Sequence, residues 1–362
     1  MATLVTTKAA EAVQLFRDMG LIGAGGAGFP TYFKYLRPTP ILAVNCEEGE
    51  PGYEANKILL HQCANQFAEV FEALKTIFGF KRVVIGAKEK DKEKLEPLRT
   101  SHGFDIVYTP SLYGYGEEHW LTKIITGIEL PKNKLPAVAG VIVNNVETLY
   151  NMYLALFEHQ PVIQKYLNVY GEVPQQRVVL APVGALAIDL IGHVGVDTSR
   201  GHNLMVIDGG PLMGDLVDLS VHSIIKKTNG LLVTDKLRYQ ADQSALKSLP
   251  GQSPPSWEDT LPRAMEKLGL QRYLNWHPRP EDVLDVRSET RRVRLALNQG
   301  GPAAKRSVPV VEVGDRVEKW QLIAKPLEGA ITDFSKLSVA LHASIDGVVR
   351  AVTERYIDIE AE

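Results

Sequence analysis

Short apolar strand patterns alternate with helical patterns through the first 160 residues, and this alternation restricts the fold more than any other feature. The strand candidates are 41–45 ("ILAVN"), 82–87 ("RVVIGA") and 104–109 ("FDIVYT"). Helical periodicity occurs around them, in "HQCANQFAEVFEALKTIFG", "KDKEKLEPLRTS", "EHWLTKIITG" and "VETLYNMYLALFEH". Such alternation predicts a layered α/β domain with a mainly parallel sheet.

A glycine-rich loop, "GAGGAGFPT" (23–31), follows the first helical pattern. It satisfies G-x-G-x-x-G through Gly23, Gly25 and Gly28, but a Rossmann fingerprint requires a strand before the glycines, and here a helix precedes them. We therefore predict an anion-binding turn, to which Lys34 adds a positive charge. A dinucleotide-binding fold is the second ligand-binding interpretation, and a merely tight, glycine-rich turn without a ligand is the structural alternative, which the loop alone does not exclude.

Composition restricts the class of protein. The 362 residues are 45% apolar and 23% charged with a net charge of −3, which favours a globular protein of two or three domains and argues against a nucleic-acid binder. No apolar run approaches the roughly 18 residues of a membrane span, and the first residues do not resemble a signal peptide, so we expect a cytoplasmic protein. The two cysteines, Cys46 and Cys63, are too few for a cubane iron–sulfur cluster within this chain.

Three polar stretches stand at the ends of predicted strands or the starts of predicted helices. They are "NCEEGEPG" (45–52), "YGYGEEHW" (113–120) and "VIVNNVETLYN" (141–151). Each has a structural explanation: glutamates in a first helical turn favour the helix dipole, Asn145 is a plausible N-cap, and Glu-Gly-Glu-Pro suits a turn. Taken singly, none of the three indicates a binding site.

Beyond residue 160 the pattern of apolar and polar residues changes. Residues 161–235 have short apolar runs divided by Gly and Pro, which predicts a small α+β domain. Residues 236–290 are polar and Pro-rich, with one predicted helix in "LPRAMEKLGLQRYL", and suggest a linker or ancillary segment. Residues 291–362 contain short β segments with tight turns, which predicts a small barrel or sandwich.

Together, the motifs resemble those of a known family. The order G-x-GGAGFPT, N-x-x-E-x-EPG, G-EE and V-V-NNVET is similar to that in the flavin-binding subunit of respiratory complex I and in the related RnfC and PduS proteins. The later "GGPLMG" and "TNGLLV" resemble the family's β-grasp-like SLBB domain. The tail "VPVVEVGDRVEKWQLIA…LHASIDGVV" resembles the barrel-sandwich segment shared by RnfC and PduS, and the layout is similar to that of PduS, a cobalamin reductase.

The resemblance implies an FMN site with NADH as substrate in the domain 1–160. The residues that it places around FMN are Gly23, Gly25, Gly26, Gly28, Lys34, Asn45, Glu47, Glu48, Tyr113, Gly116, Asn144, Asn145 and Thr148. The residues that it places toward the nicotinamide nucleotide are Phe29, Glu50, Glu117 and Glu118. Of these, Glu48 and Glu118 are the expected catalytic residues, and no metal site is expected.

The sequence departs from the family pattern at three places. Residues 236–290 lack the cluster-binding cysteines, Ala24 replaces the arginine of the complex I protein, and Trp320 stands where the barrel-sandwich turn usually has glycine. The resemblance implies an FMN-dependent NADH oxidoreductase that passes electrons to a protein, corrinoid or quinone acceptor within a complex or oligomer. The alternative is a non-catalytic docking or assembly subunit that keeps the fold.

Overall fold

The computed structural model describes residues 4–131, 133–200, 203–247, 255–275, 279, 281 and 283–362. Its first region is a parallel sheet covered by helices. In chain order its elements are α1 (Ala9–Asp18), α2 (Thr31–Lys34), β1 (Ile41–Asn45), α3 (Ala55–Gln62), α4 (Ala64–Phe78), β2 (Arg82–Lys88), α5 (Lys92–His102), β3 (Ile106–Thr109), α6 (Glu118–Thr126), β4 (Val141–Asn145) and α7 (Val146–Phe157). The predicted α/β class with a parallel sheet is confirmed.

The strand order is β3-β2-β1-β4, so the strands that the polar stretches follow, β1 and β4, are neighbours in the sheet. All three strand pairs are parallel, so every carboxyl end lies at one edge of the sheet. Asn45 at the end of β1 pairs in register with Asn145 at the end of β4. Because the chain continues from β1 to β2 on one side and reaches β4 on the other, the strand order reverses between β1 and β4. In open α/β sheets ligands bind at such a reversal.

Both faces of this sheet are buried, as a parallel sheet requires. Leu42 and Val44 of β1 belong to the large core formed with α1, α4 and α7, whereas Ala43 packs on the other face with Leu121 of α6. Gly86 of β2 allows α6 to approach closely, since a Cβ there would lie 2.3 Å from Leu121 Cδ1. The apolar strand runs in the sequence follow from this two-sided burial.

Two helical boundaries differ from the sequence pattern. The pattern over 61–79 contains only the end of α3, which begins earlier at Ala55, and all of α4; the break at Cys63 is not revealed because apolar periodicity continues across it. The stretch 236–290 was expected to hold one helix, yet a second one, Lys236–Lys247, precedes it. Its residues are mostly polar, so it lacks the apolar stripe by which a helix is recognised. Residues 248–254, 276–278, 280 and 282 of that stretch lie outside the described residues.

The second region is a six-stranded mixed sheet of order β10-β6-β5-β9-β7-β8. Its elements are β5 (Gln164–Gly171), β6 (Arg177–Pro182), α8 (Ala187–His193), β7 (Leu204–Asp208), β8 (Asp215–Val217), β9 (Gly230–Asp235), α9 (Lys236–Lys247), α10 (Leu261–Leu268) and β10 (Val283–Asp285). The strand β10, which comes from the stretch 236–290, pairs with β6 at the edge of this sheet.

The C-terminal region consists of two small antiparallel sheets, β11-β17-β16-β13 and β12-β14-β15. Their strands are β11 (Arg292–Ala296), β12 (Val308–Pro309), β13 (Arg316–Val317), β14 (Leu322–Lys325), β15 (Leu341–His342), β16 (Gly347–Val352) and β17 (Tyr356–Glu360). Trp320, in the turn before β14, has a φ of 75°, the left-handed conformation that favours glycine. Among the helices that the structure describes, none is both long and apolar enough to cross a membrane.

Candidate functional site

Two asparagines define the carboxyl edge between β1 and β4. Asn45 donates from Nδ2 to the Gly116 carbonyl at 2.9 Å, and its Oδ1 accepts from the Glu47 amide at 2.9 Å. Asn145 accepts from the Glu147 amide at 2.9 Å and is the N-cap of α7, as its structural interpretation predicted. Both residues thereby hold the chain where it leaves the sheet.

Asn144 and Thr148 are buried and already have partners. The Asn144 amide donates to the Tyr35 hydroxyl, and Asn144 is 4% exposed, so its side chain is engaged in the core. The Thr148 hydroxyl oxygen accepts from the Ala24 amide at 2.9 Å. Thr148 therefore fixes the start of the glycine loop onto α7, which is a role in shaping the site.

The glycine loop is partly closed by its own hydrogen bonds. The Gly23 amide donates to the Phe29 carbonyl at 2.8 Å, and the Gly28 amide donates to the Gly23 carbonyl at 3.2 Å. The tip of the loop, residues 25–27, is exposed. Within the described part of the chain, the amides of these three residues have no acceptor. The loop therefore presents a short row of free donors, which is suited to an anion.

Close contacts explain why the loop needs glycine. A Cβ on Gly25 would lie 3.0 Å from Asn145 Cβ, so the loop tip lies directly against the end of β4. Gly26 has a φ of 102° and faces Asn229, whose Nδ2 is 3.5 Å from the position of an added Cβ. Gly28 has a φ of 63°. A side chain at Gly25 would thus meet the sheet edge, and one at Gly28 would collide with the backbone of Gly300 and Gly301.

Lys165 is a site residue that the motifs did not reveal. Its ammonium group is buried on β5 and contacts the Glu147 carboxylate, the Ala24 carbonyl at 3.3 Å and Asn229 Oδ1 at 3.2 Å. It thereby connects α7, the glycine loop and the residue beside Gly26. The signal that could have indicated it is a lysine followed at once by the apolar residues of β5, because a lysine in a buried strand requires a buried partner.

Lys34 was expected to contact FMN and Glu118 to contact the nicotinamide nucleotide, but the two side chains form an ion pair with each other. Lys34 Nζ lies 2.7 Å from Glu118 Oε1 and donates to the Val143 carbonyl at 2.7 Å. The neighbouring Glu117 is the N-cap of α6, accepts from the His119 amide at 2.9 Å and contacts His119 Nδ1 at 2.6 Å. This contact with Glu117 raises the pKa of His119.

The acidic turn after β1 holds a carboxylate with an unused oxygen. Glu47 Oε1 accepts from the Thr109 hydroxyl, whereas its buried Oε2 has no partner among the described residues. Burial raises the pKa of Glu47 to about 7, against the opposing effects of the Thr109 bond and of Lys88. The backbone at Gly116 packs closely against this turn, since a Cβ on Gly116 would lie 3.1 Å from the Glu47 carbonyl oxygen.

Glu48 points into a buried ion network. It lies 3.2 Å from Lys57 Nζ and accepts from the Asn56 amide at 2.9 Å. The same lysine contacts Glu54 at 3.0 Å and Asp91 at 3.1 Å. Burial raises the pKa of Glu48 to about 8, against the attraction of Lys57. Glu48 thus ties the acidic turn to α3 and to the end of β2.

Glu50 connects the first sheet to the second region. Its Oε2 accepts from the Leu212 amide at 3.1 Å, and its Oε1 accepts from the Tyr113 hydroxyl at 3.4 Å. A Cβ on Gly210 would lie 2.1 Å from Glu50 Oε2, so the "GGPLMG" loop needs glycine where it meets this carboxylate. Burial raises the pKa of Glu50 to about 7.

Two aromatic contacts bring distant segments to the site. Tyr113 stacks on Trp257 with ring centroids 5.1 Å apart and an interplanar angle of 11°. Its backbone amide donates to the Asp259 carbonyl at 2.9 Å. Phe29 packs against Phe33 and Phe334 at centroid distances of 6.0 and 6.4 Å. Trp257 and Phe334 were not expected at the site, because no local pattern links them to it.

Within the described part of the chain, the carboxyl edge therefore combines free backbone donors, a carboxylate oxygen without a partner and two asparagine side chains. Among the residues that the structure describes, no group of three or more His, Cys, Asp or Glu side chains is placed to hold a metal ion. This arrangement suits an organic ligand with an anionic end and polar ring substituents.

Comparison with known proteins gives the sequence family and the fold that the chain resembles. Residues 16–154 match the family model of the Nuo51 FMN-binding domain. A chain of an NAD+-reducing NiFe-hydrogenase, solved in the H2-reduced state, shares the fold with a TM-score of 0.57 at 19% identity, over 74% of this chain and 60% of that chain.

Two curated relatives extend the match beyond the first region. Cobalamin reductase PduS of Salmonella typhimurium is 32% identical over 234 residues, which are 64% of this chain and 51% of that protein. The RnfC protein of the ion-translocating oxidoreductase complex of Pectobacterium atrosepticum is 33% identical over 221 residues, 59% of this chain and 32% of that protein. The alignments thus span about half and a third of these relatives. Residues 16–154 thus resemble the Nuo51 FMN-binding domain, and the chain is similar in sequence to parts of PduS and RnfC.

Proposed function

We propose that this chain binds FMN at the carboxyl edge between β1 and β4, oxidises NADH there and passes the electrons to a redox partner. The observation that carries the proposal is the glycine loop, which has free amides at 25–27 and lies against Asn145 at Gly25, where the strand order reverses. The match of residues 16–154 to the Nuo51 FMN-binding domain supports FMN as the ligand.

The residues at this edge fit the groups that FMN carries. The free amides of the loop tip offer donors to a phosphate, and a side chain at Gly25 would fill the space against Asn145. Glu47 Oε2 is a buried acceptor without a partner among the described residues, and it suits a polar N–H of the ring system. When bound, FMN supplies the chemistry of a hydride acceptor that releases its electrons singly.

The acidic residues of this chain have separate proposed roles. Glu47 can hold or release a proton at Oε2 near neutral pH, because burial raises its pKa to about 7. Glu48 is a positioning residue, since Asn56 and Lys57 already engage its carboxylate and hold the acidic turn. Glu118 is the proposed contact for the nicotinamide nucleotide, because its side chain is 37% exposed beside Lys34.

We also propose that the electrons leave for a partner without passing through a cluster in this chain. A cubane cluster normally takes four thiolates, whereas the sequence has two cysteines, of which Cys46 is buried. The acceptor is a protein, a corrinoid or a quinone. The proposed segments are 1–160, 161–235, 236–290 and 291–362. The proposed docking surfaces are the second and the fourth of these, 161–235 and 291–362.

The purified protein tests this function by its cofactor content and its reduction. We expect about one FMN per chain after acid release and no stoichiometric iron or acid-labile sulfide. Anaerobic NADH should bleach the flavin absorption, with slow turnover that rises when a cognate partner is added. Bound FMN that NADH does not reduce would favour the alternative, a docking or assembly subunit, and a chain that takes up no FMN would contradict the proposed site.

A further inference from the structure

Two glycines of the C-terminal region, Gly300 and Gly301, contact the backbone of the glycine loop with their own backbone. The Gly301 amide donates to the Gly28 carbonyl at 3.1 Å. A Cβ on Gly301 would lie 2.1 Å from the Ala27 carbonyl oxygen, and one on Gly300 would lie 2.5 Å from that of Gly28. Neither approach leaves room for a side chain. This contact comes from the C-terminal region, outside the residues 16–154 that match the FMN-binding family.

The turn that carries these glycines is itself held in place. Asn298 Oδ1 accepts from the Gly300 amide at 3.0 Å, and Asn298 Nδ2 donates to the Ala304 carbonyl at 3.2 Å. Gln299 Oε1 accepts from the Lys226 amide at 2.9 Å. The turn is therefore fixed internally and is also bonded to the second region, so that it can act as a rigid support for the loop.

The glycine loop needs such a support. A loop with so many glycines has a large conformational entropy when it is free, and a ligand that orders it must offset this cost. Thr148 and Lys165 fix Ala24 at the start of the loop. At the other end, the loop's own bond from the Gly28 amide to Gly23 is supplemented from outside the loop by the Gly301 bond to the Gly28 carbonyl, so that Gly28, which follows the free amides of 25–27, is held on both sides.

We propose that the turn 298–302 is a positioning element of the FMN site, which pre-orders the glycine loop for the phosphate. This inference rests on the proposed function and extends it, because it makes cofactor affinity depend on a segment outside the FMN-binding domain. The coupling is reciprocal, so bound FMN should in turn hold the C-terminal turn in place.

The test compares substitutions in the full-length protein. Gly301→Ala introduces a Cβ against the Ala27 carbonyl, and Asn298→Ala loosens the turn without adding bulk. Gly192→Ala is the matched control, since Gly192 lies in α8 with open space around its Cβ position. FMN dissociation constants are measured by flavin fluorescence quenching, and hydrogen exchange of the amides 23–28 is measured in FMN-free protein.

We expect the FMN dissociation constant to rise at least tenfold in Gly301→Ala and at least threefold in Asn298→Ala, with Gly192→Ala within twofold of wild type. The loop amides should exchange faster in both turn variants. If Gly301→Ala does not fold, the FMN affinity and the loop exchange of Asn298→Ala alone test the inference. Folded Asn298→Ala protein with wild-type FMN affinity and wild-type exchange in the loop would overturn the inference. A wild-type chain that does not bind FMN refutes the proposed function instead, and the exchange measurement still tests the support of the loop.

Discussion

At the scale of single residues, Lys34 and Glu118 share one contact although each was expected to serve a different ligand. Their ion pair is partly exposed, with 21% and 37% of the side chains accessible, so its contribution to stability is about 0.2–1 kcal/mol. A charge-assisted bond from Lys34 to a phosphate would contribute more, about 1.5–3 kcal/mol of binding free energy. The two roles can therefore be separated by magnitude.

We expect Lys34→Met to raise the FMN dissociation constant about 10- to 100-fold, and to do so equally in wild type and in a Glu118→Gln background. Glu118→Gln alone should leave FMN content unchanged but alter flavin reduction by NADH in anaerobic stopped flow. Lys123→Met, which removes the exposed pair with Glu129 at the other end of α6, is the control. A Lys34→Met effect that disappears in the Glu118→Gln background would mean that Lys34 acts only through Glu118.

At the scale of elements, the segment around Trp257 covers the short turn that precedes α6. Gly114 donates to the Trp257 carbonyl at 2.9 Å, and a Cβ on Gly114 would lie 2.7 Å from that oxygen. The stacked Trp257 and Tyr113 rings add about 0.5–1.5 kcal/mol. This segment therefore limits the motion of the turn that carries Tyr113.

Trp257→Ala should lower the free energy of unfolding by about 0.5–1.5 kcal/mol in urea titrations, because it removes the stacking partner of Tyr113. Hydrogen exchange at the Gly114 amide should become faster. Trp257→Phe keeps an aromatic ring and serves as the comparison. Equal exchange rates at Gly114 in wild type and Trp257→Ala would show that the backbone pairing holds the segment without the ring.

The turn at Trp320 offers a separate test of backbone conformation. Left-handed geometry costs a residue with a Cβ roughly 1–2 kcal/mol, and Trp320 adopts it with a half-exposed ring. We expect Trp320→Gly to be about 1 kcal/mol more stable than Trp320→Ala, since both lose the ring and only glycine relieves the backbone. Thermal unfolding of the two variants measures this difference. Equal midpoints would mean that the turn relaxes when alanine replaces tryptophan.

The contacts of these elements also show which parts of the candidate site could be predicted from the sequence. Asn45 and Asn145 each follow an apolar run, so their meeting at one edge could be predicted from the parallel topology. The pairing of Lys34 with Glu118, the stacking of Trp257 and the contact of Gly301 could not, because each joins residues far apart in the chain and depends on how the regions pack. Motif spacing reports local geometry, and it carries no information on such contacts.

At the scale of the whole molecule, one buried lysine links all three regions. Lys226 lies just before β9, and its ammonium group donates to the Gly20 carbonyl at 2.8 Å and to the Ala340 carbonyl at 3.2 Å. Among the described residues it has no carboxylate partner. Burial therefore lowers the pKa of Lys226 to about 7, and burial also lowers the pKa of the nearby His342 to about 3, so that His342 is neutral.

The unfolded chain binds a proton at Lys226 up to a pH near 10.5, whereas the folded chain releases it near pH 7. The free energy of unfolding should therefore rise between pH 7 and 10, by up to about 1.4 kcal/mol per pH unit from this group. Lys226→Met loses two hydrogen bonds at every pH but removes this slope. Urea unfolding at pH 7, 8 and 9 measures the difference between the two proteins, and a difference that does not change with pH would contradict the assignment.

The contact between Gly28 and Gly301 also determines when the glycine loop can gain its support during translation. The loop is made well before its support, because Gly301 follows Gly28 late in the sequence. In the same way, the Ala330 carbonyl follows by 298 positions the Tyr32 hydroxyl from which it accepts. At ribosomal speeds this delay is roughly 15 to 55 s. During this delay the loop lacks its support, so we expect tight flavin binding only after the turn 298–302 has been made and has packed against the loop.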